Sequence, residues 1–410
     1  MCKRQTLCIL IQNQPTMKVL LKPIAFVILI FSAFTLMSLS KPAGKKNKKA
    51  AVKNLNPKIQ VAILLDVSNS MDGLIEQAKA QLWNMVSVMG KAKCDNSVAP
   101  QIEIALYEYG RSSNAVADGY VKQVSGFTSD LDKLSLELFS LSTNGGDEYC
   151  GQVIYTSLNQ LNWDAGENNY KVIFIAGNED FLQGSLPYTK ACAEAKKKGV
   201  IVNTIYCGSR TDGIREHWNL NAECGTGSFT NINQDAKTEE IPTPYDSILF
   251  SLNDKLNGTY IAYGYGGKTN YANQGIADAS NTMMSKSAGL KRVAVKGQKN
   301  LYKNGSWDLV DASTDKDGEI TTGFFKTVDK KTLPDSLQNK NTEELKKIVS
   351  EKSKERSLVQ NEITNINTQR EAYIAAERKK NVSKNNTTTL ETEVEKMVRE
   401  QAKRFNMNIE

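Results

Sequence analysis

Three oxygen-bearing side chains, Asp66, Ser68 and Ser70, alternate within the stretch VAILLDVSNSMDGL, directly after the apolar run Val61–Leu65. A carboxylate followed at two-residue intervals by two hydroxyls, with neither His nor Cys among them, is a donor set for a hard cation: Mg2+, Mn2+ or Ca2+. A turn at this point can aim all three side chains inward. Ser70 also falls beside the start of the next helix, where unpaired N–H groups need acceptors. The same residue types cap helices without any metal, so the pattern alone weighs evenly between a cation site and an N-cap. Its placement, after a buried strand and before an amphipathic helix, tips the balance toward the cation.

Those residues need elements to position them, and the flanking sequence supplies a regular alternation. IQVAILLD is a continuous apolar run, as expected of a central strand covered on both faces. MDGLIEQAKAQLWNMVSVMG then sets Ile75, Ala78, Leu82, Met85, Val86 and Met89 on one helical face and stops at Gly90. QIEIALYEYG reads as a strand and GYVKQVSGF as a shorter partner, followed by two helices in SDLDKLSLELFSL and EYCGQVIYTSLNQL. YKVIFIAGN and VIVNTIYCG are two more buried strands, with the helix YTKACAEAKKKG between them. GSFTNIN makes a sixth strand, and TPYDSILFSLNDKLNG closes the unit at Gly258. The reading is an α/β domain over residues 58–258 with a doubly wound, mostly parallel six-stranded sheet. Ligands of such sheets collect in the crevice at the strand carboxyl ends, which is where Asp66 lies.

VAILLDVSNSM resembles the metal-ion-dependent adhesion site (MIDAS) of von Willebrand factor type A (VWA) domains, whose first motif is Asp-x-Ser-x-Ser at the end of the first strand. LNAECGTGSFTNI is similar to the family's late loop and last strand, and the resemblance covers about half the chain. It implies a Rossmann-like fold, a bound divalent cation, and a protein partner offering an acidic side chain to the ion. It also implies a threonine from a second loop and an aspartate from a third. In this sequence the second loop is STNGGDEYCG, where Asp147 takes the threonine slot and Thr143, four residues too early for it, is the alternative donor. The third loop, IFIAGNED, has Ala176, Gly177 and Asn178 in place of Thr-Asp-Gly. Asn178 then becomes the expected ligand, with Glu179 or Asp180 approaching if the loop turns back. The expected binding face is formed by residues 68–72, 144–149 and 178–183, including Phe181 and Leu182 as apolar contacts.

The rest of the sequence bounds the function. A net charge of +7 comes from lysines in KPAGKKNKKAAVKNLNPK and from a mixed-charge C-terminal third, with no basic stripe of the kind nucleic acid needs. Residues 1–42 read as a signal peptide or N-terminal membrane anchor, with Met17 as an alternative start, and residues 43–57 as a basic linker. The expectation is therefore an exported protein of the periplasm, cell envelope or extracellular space. Of the cysteines after residue 42, Cys207 and Cys224 flank one loop and form the expected disulfide. Residues 259–340 read as loop and short strand. Residues 341–410 read as helical and partly coiled-coil-like, with a seam through Leu345, Val349, Lys352, Arg356, Val359, Ile363, Ile366, Arg370 and Tyr373. That seam suits either local docking or self-association. Thr388 with Glu391 is a capping box for a last helix. His217 is the single histidine and Cys150 sits on a helix, so an enzyme is not expected. The first functional reading is divalent-cation-dependent protein binding. A structural role carried by the C-terminal helices is the second, and a metal-assisted hydrolase the third.

Overall fold

The computed structural model describes residues 57–94, 99–236, 240–315, 319–321, 323–380 and 390–409. The N-terminal segment, the linker up to Asn56 and the capping residue Thr388 lie outside the described residues. Among the described residues no helix is long and apolar enough to cross a membrane.

The chain opens with β1 (Lys58–Asp66), α1 (Asp72–Gly90), the short β2 (Ala92–Cys94), β3 (Gln101–Tyr109) and β4 (Lys122–Thr128). Then come α2 (Leu131–Phe139), capped by the Asp130 side chain, and α3 (Cys150–Gln160). β5 (Tyr170–Gly177), α4 (Tyr188–Lys198) and β6 (Ile201–Cys207) follow, with α4 ending at Gly199 in the left-handed conformation that glycine adopts without strain. α5 (Arg210–Arg215), α6 (Trp218–Cys224), β7 (Thr226–Ile232) and α7 (Asp246–Asn257) complete the alternating part.

The six long strands form one sheet in the order β4-β3-β1-β5-β6-β7. All neighbours are parallel except β4, which runs antiparallel to β3. β1 is central: Asp66 is level with Tyr109 of β3 on one side, and Leu65 with Ala176 of β5 on the other. From β1 the chain first winds toward β3 and later crosses to β5, so the crevice where winding reverses opens at the end of β1. One face of the sheet (Ile59, Val61, Leu65, Phe174) packs on Leu74, Leu82 and Val86 of α1 and Leu249 of α7. The other (Ala62, Leu64, Ile173, Ile175) packs on Val153 and Ile154 of α3, Ala191 of α4 and Trp218 of α6.

Beyond Gly258 the expected loop and short strand are replaced by helices α8 (Gly267–Met284) and α9 (Lys286–Lys296). Gly and Asn disfavour helix locally, but tertiary contacts outweigh that preference here. Asn281 of α8 is fully buried, accepting from Trp83 Nε1 (2.8 Å) and donating to Ser135 Oγ (3.1 Å). The Ser285 hydroxyl caps α9, which buries Leu290, Val293 and Val295. Arg292 of α9 donates to Asp132 Oδ1 (2.6 Å) and to Asp278 Oδ1 (2.5 Å). Lys296 donates to Asp278 Oδ2 (2.9 Å) and Asn257 Oδ1 (2.6 Å), and Tyr302 to Asp132 Oδ2 (2.5 Å).

Short α10 (Leu309–Ser313) and α11 (Asp335–Gln338) precede α12 (Thr342–Lys380). The seam of α12 is used inside the chain: Leu345, Val349, Val359 and Ile363 are buried. Its arginines meet carboxylates of this same chain, Arg356 at Asp308 and Asp311 (2.7 Å each) and Arg370 at Asp246 (3.0 Å). α13 (Leu390–Ala402) covers part of the α1 face of the core through Val394, Met397 and Val398. β8 (Met407–Ile409) pairs antiparallel with β2.

The expected disulfide is also corrected. Cys224 bonds Cys192, tying α6 to α4, while Cys207 is a buried free thiol. Proximity in sequence misled here, because Cys207 at the end of β6 turns into the core on the α1 side of the sheet, whereas α4 and α6 lie on the other.

Candidate metal centre

Asp66 is fully buried, and two glycines make room for it. A Cβ on Gly110, after β3, would lie 2.9 Å from Asp66 Oδ1, and one on Gly177, ending β5, 2.9 Å from Oδ2. Gly110 also has φ +81°, a conformation open to glycine. The Ser68 N–H donates to Asp66 Oδ1 (2.8 Å), so the chain turns sharply after β1 and starts α1 at Asp72. Beneath the carboxylate is a buried floor: Tyr109 donates to the Ala176 carbonyl (3.0 Å) and accepts from the Cys150 thiol (3.8 Å), all three residues being buried.

Two polar atoms in this setting lack a hydrogen bond, Asp66 Oδ2 and Ser68 Oγ. Ser68 lies beside both Asp66 and Glu148 and favours each as an anion, yet its hydroxyl closes a hydrogen bond with neither. Burial pushes the Asp66 carboxyl up to about 6, against the pull of Ser68 and the Asn178 backbone N–H, with Glu179 adding repulsion. Glu148 is pushed up to about 8, by burial first and then by Asp66, Glu179 and Asp147. The charges that raise it are all carboxylates. At the outer edge, Asn178 Nδ2 donates to Ser70 Oγ (3.1 Å), so these two expected ligands meet across the β1 and β5 loops.

The second loop departs from the expectation by one residue. Asn144 N–H donates to the Val67 carbonyl (2.8 Å), and the Gly145 carbonyl accepts from Ser112 N–H (2.8 Å). Gly146 is wedged against Gly110 O, where a Cβ would come within 2.7 Å. These contacts turn Asp147 outward, where it accepts from the Tyr149 hydroxyl (3.2 Å), and turn Glu148 inward, 7% exposed. Glu148, absent from the expected donor set, is the carboxylate that this loop turns toward Asp66 and Ser68. Thr143 is held away by donating to Asp72 Oδ1 (2.5 Å). Glu179 is exposed but acts electrostatically on Asp66 and Glu148.

The third loop is pinned from behind. Trp218 Nε1 donates to the Glu179 carbonyl (2.8 Å), and Phe181 N–H to the Glu216 carbonyl (2.9 Å). Phe181 is buried edge-on against Trp218, leaving Leu182, 44% exposed, as the apolar group on this loop's surface. His217 pairs with Asp180 (2.9 Å).

Among the described residues no three His, Cys, Asp or Glu side chains gather as a metal cluster. The set at Asp66 is of another kind: two carboxylates, two hydroxyls and an amide, all oxygen donors of the type hard cations take. The unpartnered oxygens and the two raised carboxyls fit such an ion, because a cation would supply both the missing partner and the missing positive charge.

No family model and no curated protein matches the chain. Solved structures match its α/β part. An aerotolerance-related membrane protein from Bacteroides fragilis NCTC 9343 aligns over 43% of this chain and 93% of its own, at 16% identity and TM-score 0.31. The SpRpn10 VWA domain aligns over 43% and 88%, at 16% identity and TM-score 0.31. Proximal thread matrix protein 1 of the mussel byssus, whose MIDAS motif holds zinc, aligns over 44% and 43%, at 14% identity and TM-score 0.33. At these values the reading of the site rests on this chain's own residues.

Proposed function

We propose that this chain is an exported, non-enzymatic protein that binds a protein partner through a divalent cation at the carboxyl end of β1. The observation that carries the reading is the pair of buried, unpartnered oxygens, Asp66 Oδ2 and Ser68 Oγ, beside the inward-turned Glu148. An unsatisfied buried carboxylate oxygen costs free energy unless something completes it. Asp66, Ser68, Ser70, Glu148 and Asn178 would hold the ion, with Glu179 at the rim. Mg2+ is the first choice, and Mn2+ and Ca2+ suit the same donors. When bound, the ion offers a position for an oxygen of the partner, and an acidic side chain is the donor the motif resemblance implies.

Export is supported by the basic-led apolar N-terminal sequence and by the Cys192–Cys224 disulfide, which suits an oxidising compartment. A non-enzymatic role is supported by Cys150, whose buried thiol is pushed well above its usual range. Assembly through α12 is the weaker reading, because most of the seam that suggested it is engaged within the chain.

Calorimetric titration of Mg2+, Mn2+ and Ca2+ into the full chain tests the proposal. Saturable heat that vanishes in Asp66→Asn is the expected result. No heat from any of the three with the folded protein would sink it.

A further inference from the structure

The loops around Asp66 carry Asp72, Asp147 and Glu179, all exposed. Asp180 stands next to Glu179 and meets only His217 in the described ion pairs. No described Lys, Arg or His pairs with Asp72, Asp147 or Glu179. The arginines of the neighbouring loops are committed elsewhere, Arg111 to Glu108 (3.2 Å) and Arg215 to Asp212 (2.7 Å) and Glu216 (2.8 Å). The face is thus acidic on a chain whose net charge is +7. Nor would a bound divalent cation reverse this, since Asp66 and Glu148 already match its two charges. A bare acidic ligand would meet the rim as a like charge, at a cost to both approach and docking.

We infer that the partner segment places its oxygen donor among lysines or arginines, so that a carboxylate meets the ion while basic neighbours on either side meet Asp147, Glu179 and Asp72. This rests on the cation reading above and specifies the partner's chemistry. The acidic rim is not the whole ground for it. Asp66 Oδ2 and Ser68 Oγ, buried and unpartnered, give the ligand position a centre, and the rim gives that centre its surroundings.

Three short synthetic peptides separate the possibilities: aspartate between lysines, aspartate between serines, and asparagine between lysines. Each would be labelled and titrated with the full chain, in Mg2+ and again after chelation, at low and at raised salt. The lysine-flanked aspartate peptide should bind at least about tenfold tighter than the serine-flanked one, as complementary charge at an interface allows. That margin should shrink at raised salt and in Asp147→Asn/Glu179→Gln, with the fold checked by circular dichroism. Equal or tighter binding of the serine-flanked peptide would overturn the inference, and so would an undiminished margin in the double variant or no binding of the lysine-flanked peptide. If the asparagine peptide binds as well as the aspartate one and chelation changes nothing, the cation reading fails while the charge preference stands.

Discussion

The buried charges beneath α9 and those at the end of β1 make opposite uses of the same surroundings. Beneath α9, Arg292 and Lys296 are fully buried and Asp132 and Asp278 answer them at 2.5–2.9 Å. Although burial works against it, the two cations hold the Asp278 carboxyl well below its usual range. Burial lowers Lys296 to about 8, with Asp278 opposing. At β1 the same physics runs the other way: Asp66 and Glu148 are pushed up, and no described cation answers them. The first group is complete within the chain and acts as structure. The second lacks a positive charge, and that lack is what a binding site requires. Burial of a charged residue therefore says little until its partners are counted.

The largest expected effect comes from breaking the complete group. Arg292→Met should cost about 3–5 kcal/mol in urea denaturation, because it strands buried carboxylates. A loss under about 1 kcal/mol would mean the cluster adds nothing beyond its packing. At β1 the sign reverses. A carboxyl raised in the folded state binds more protons there than when unfolded, so stability falls as pH rises from about 4 to about 6, the folded value. Above that the ionised Asp66 is a standing cost. In chelator at pH 8, Asp66→Asn, which keeps the oxygen that accepts from Ser68 N–H, should gain about 3 kcal/mol.

The cation should do by binding what that substitution does by deletion. At a concentration of Mg2+ about 100 times its dissociation constant, thermal denaturation should show about 2.7 kcal/mol of added stability, absent in Asp66→Asn. The gain should grow between pH 6 and pH 8 as both carboxyls ionise. A smaller contrast tests which loop residue counts. Glu148→Gln should weaken Mg2+ about tenfold or more, while Asp147→Asn stays within about threefold, outward placement leaving it only a screened effect. The reverse order in calorimetry would restore Asp147 as the ligand.

The central sheet could be read from the sequence because its strands are long apolar runs and its helices carry clear stripes. Asp66, Ser68 and Ser70 could be read because their spacing is local. Glu148 could not, since which of two adjacent acids turns inward depends on Gly146 packing against Gly110, a contact between distant segments. The adjacent pair Asp147-Glu148 was the only hint. Likewise α8 hides behind glycines and asparagines whose buried hydrogen bonds form only once α1 and α2 are in place. The partner of Cys224 depends on which face of the sheet each cysteine reaches, and sequence spacing does not carry that information.

The pairing of β2 with β8 also bears on how the molecule comes into being. Leu390 N–H donates to Gln77 Oε1 across 313 residues, and α13 closes a core that α1 begins. A ribosome delivers α1 long before the helix that covers it. The nascent chain therefore waits with one face of α1 open, and contacts of such span slow the final closure. Chains halted at Lys380 should be cut within α1 by brief protease exposure, whereas completed chains resist. Equal resistance would mean the core closes without its last helix.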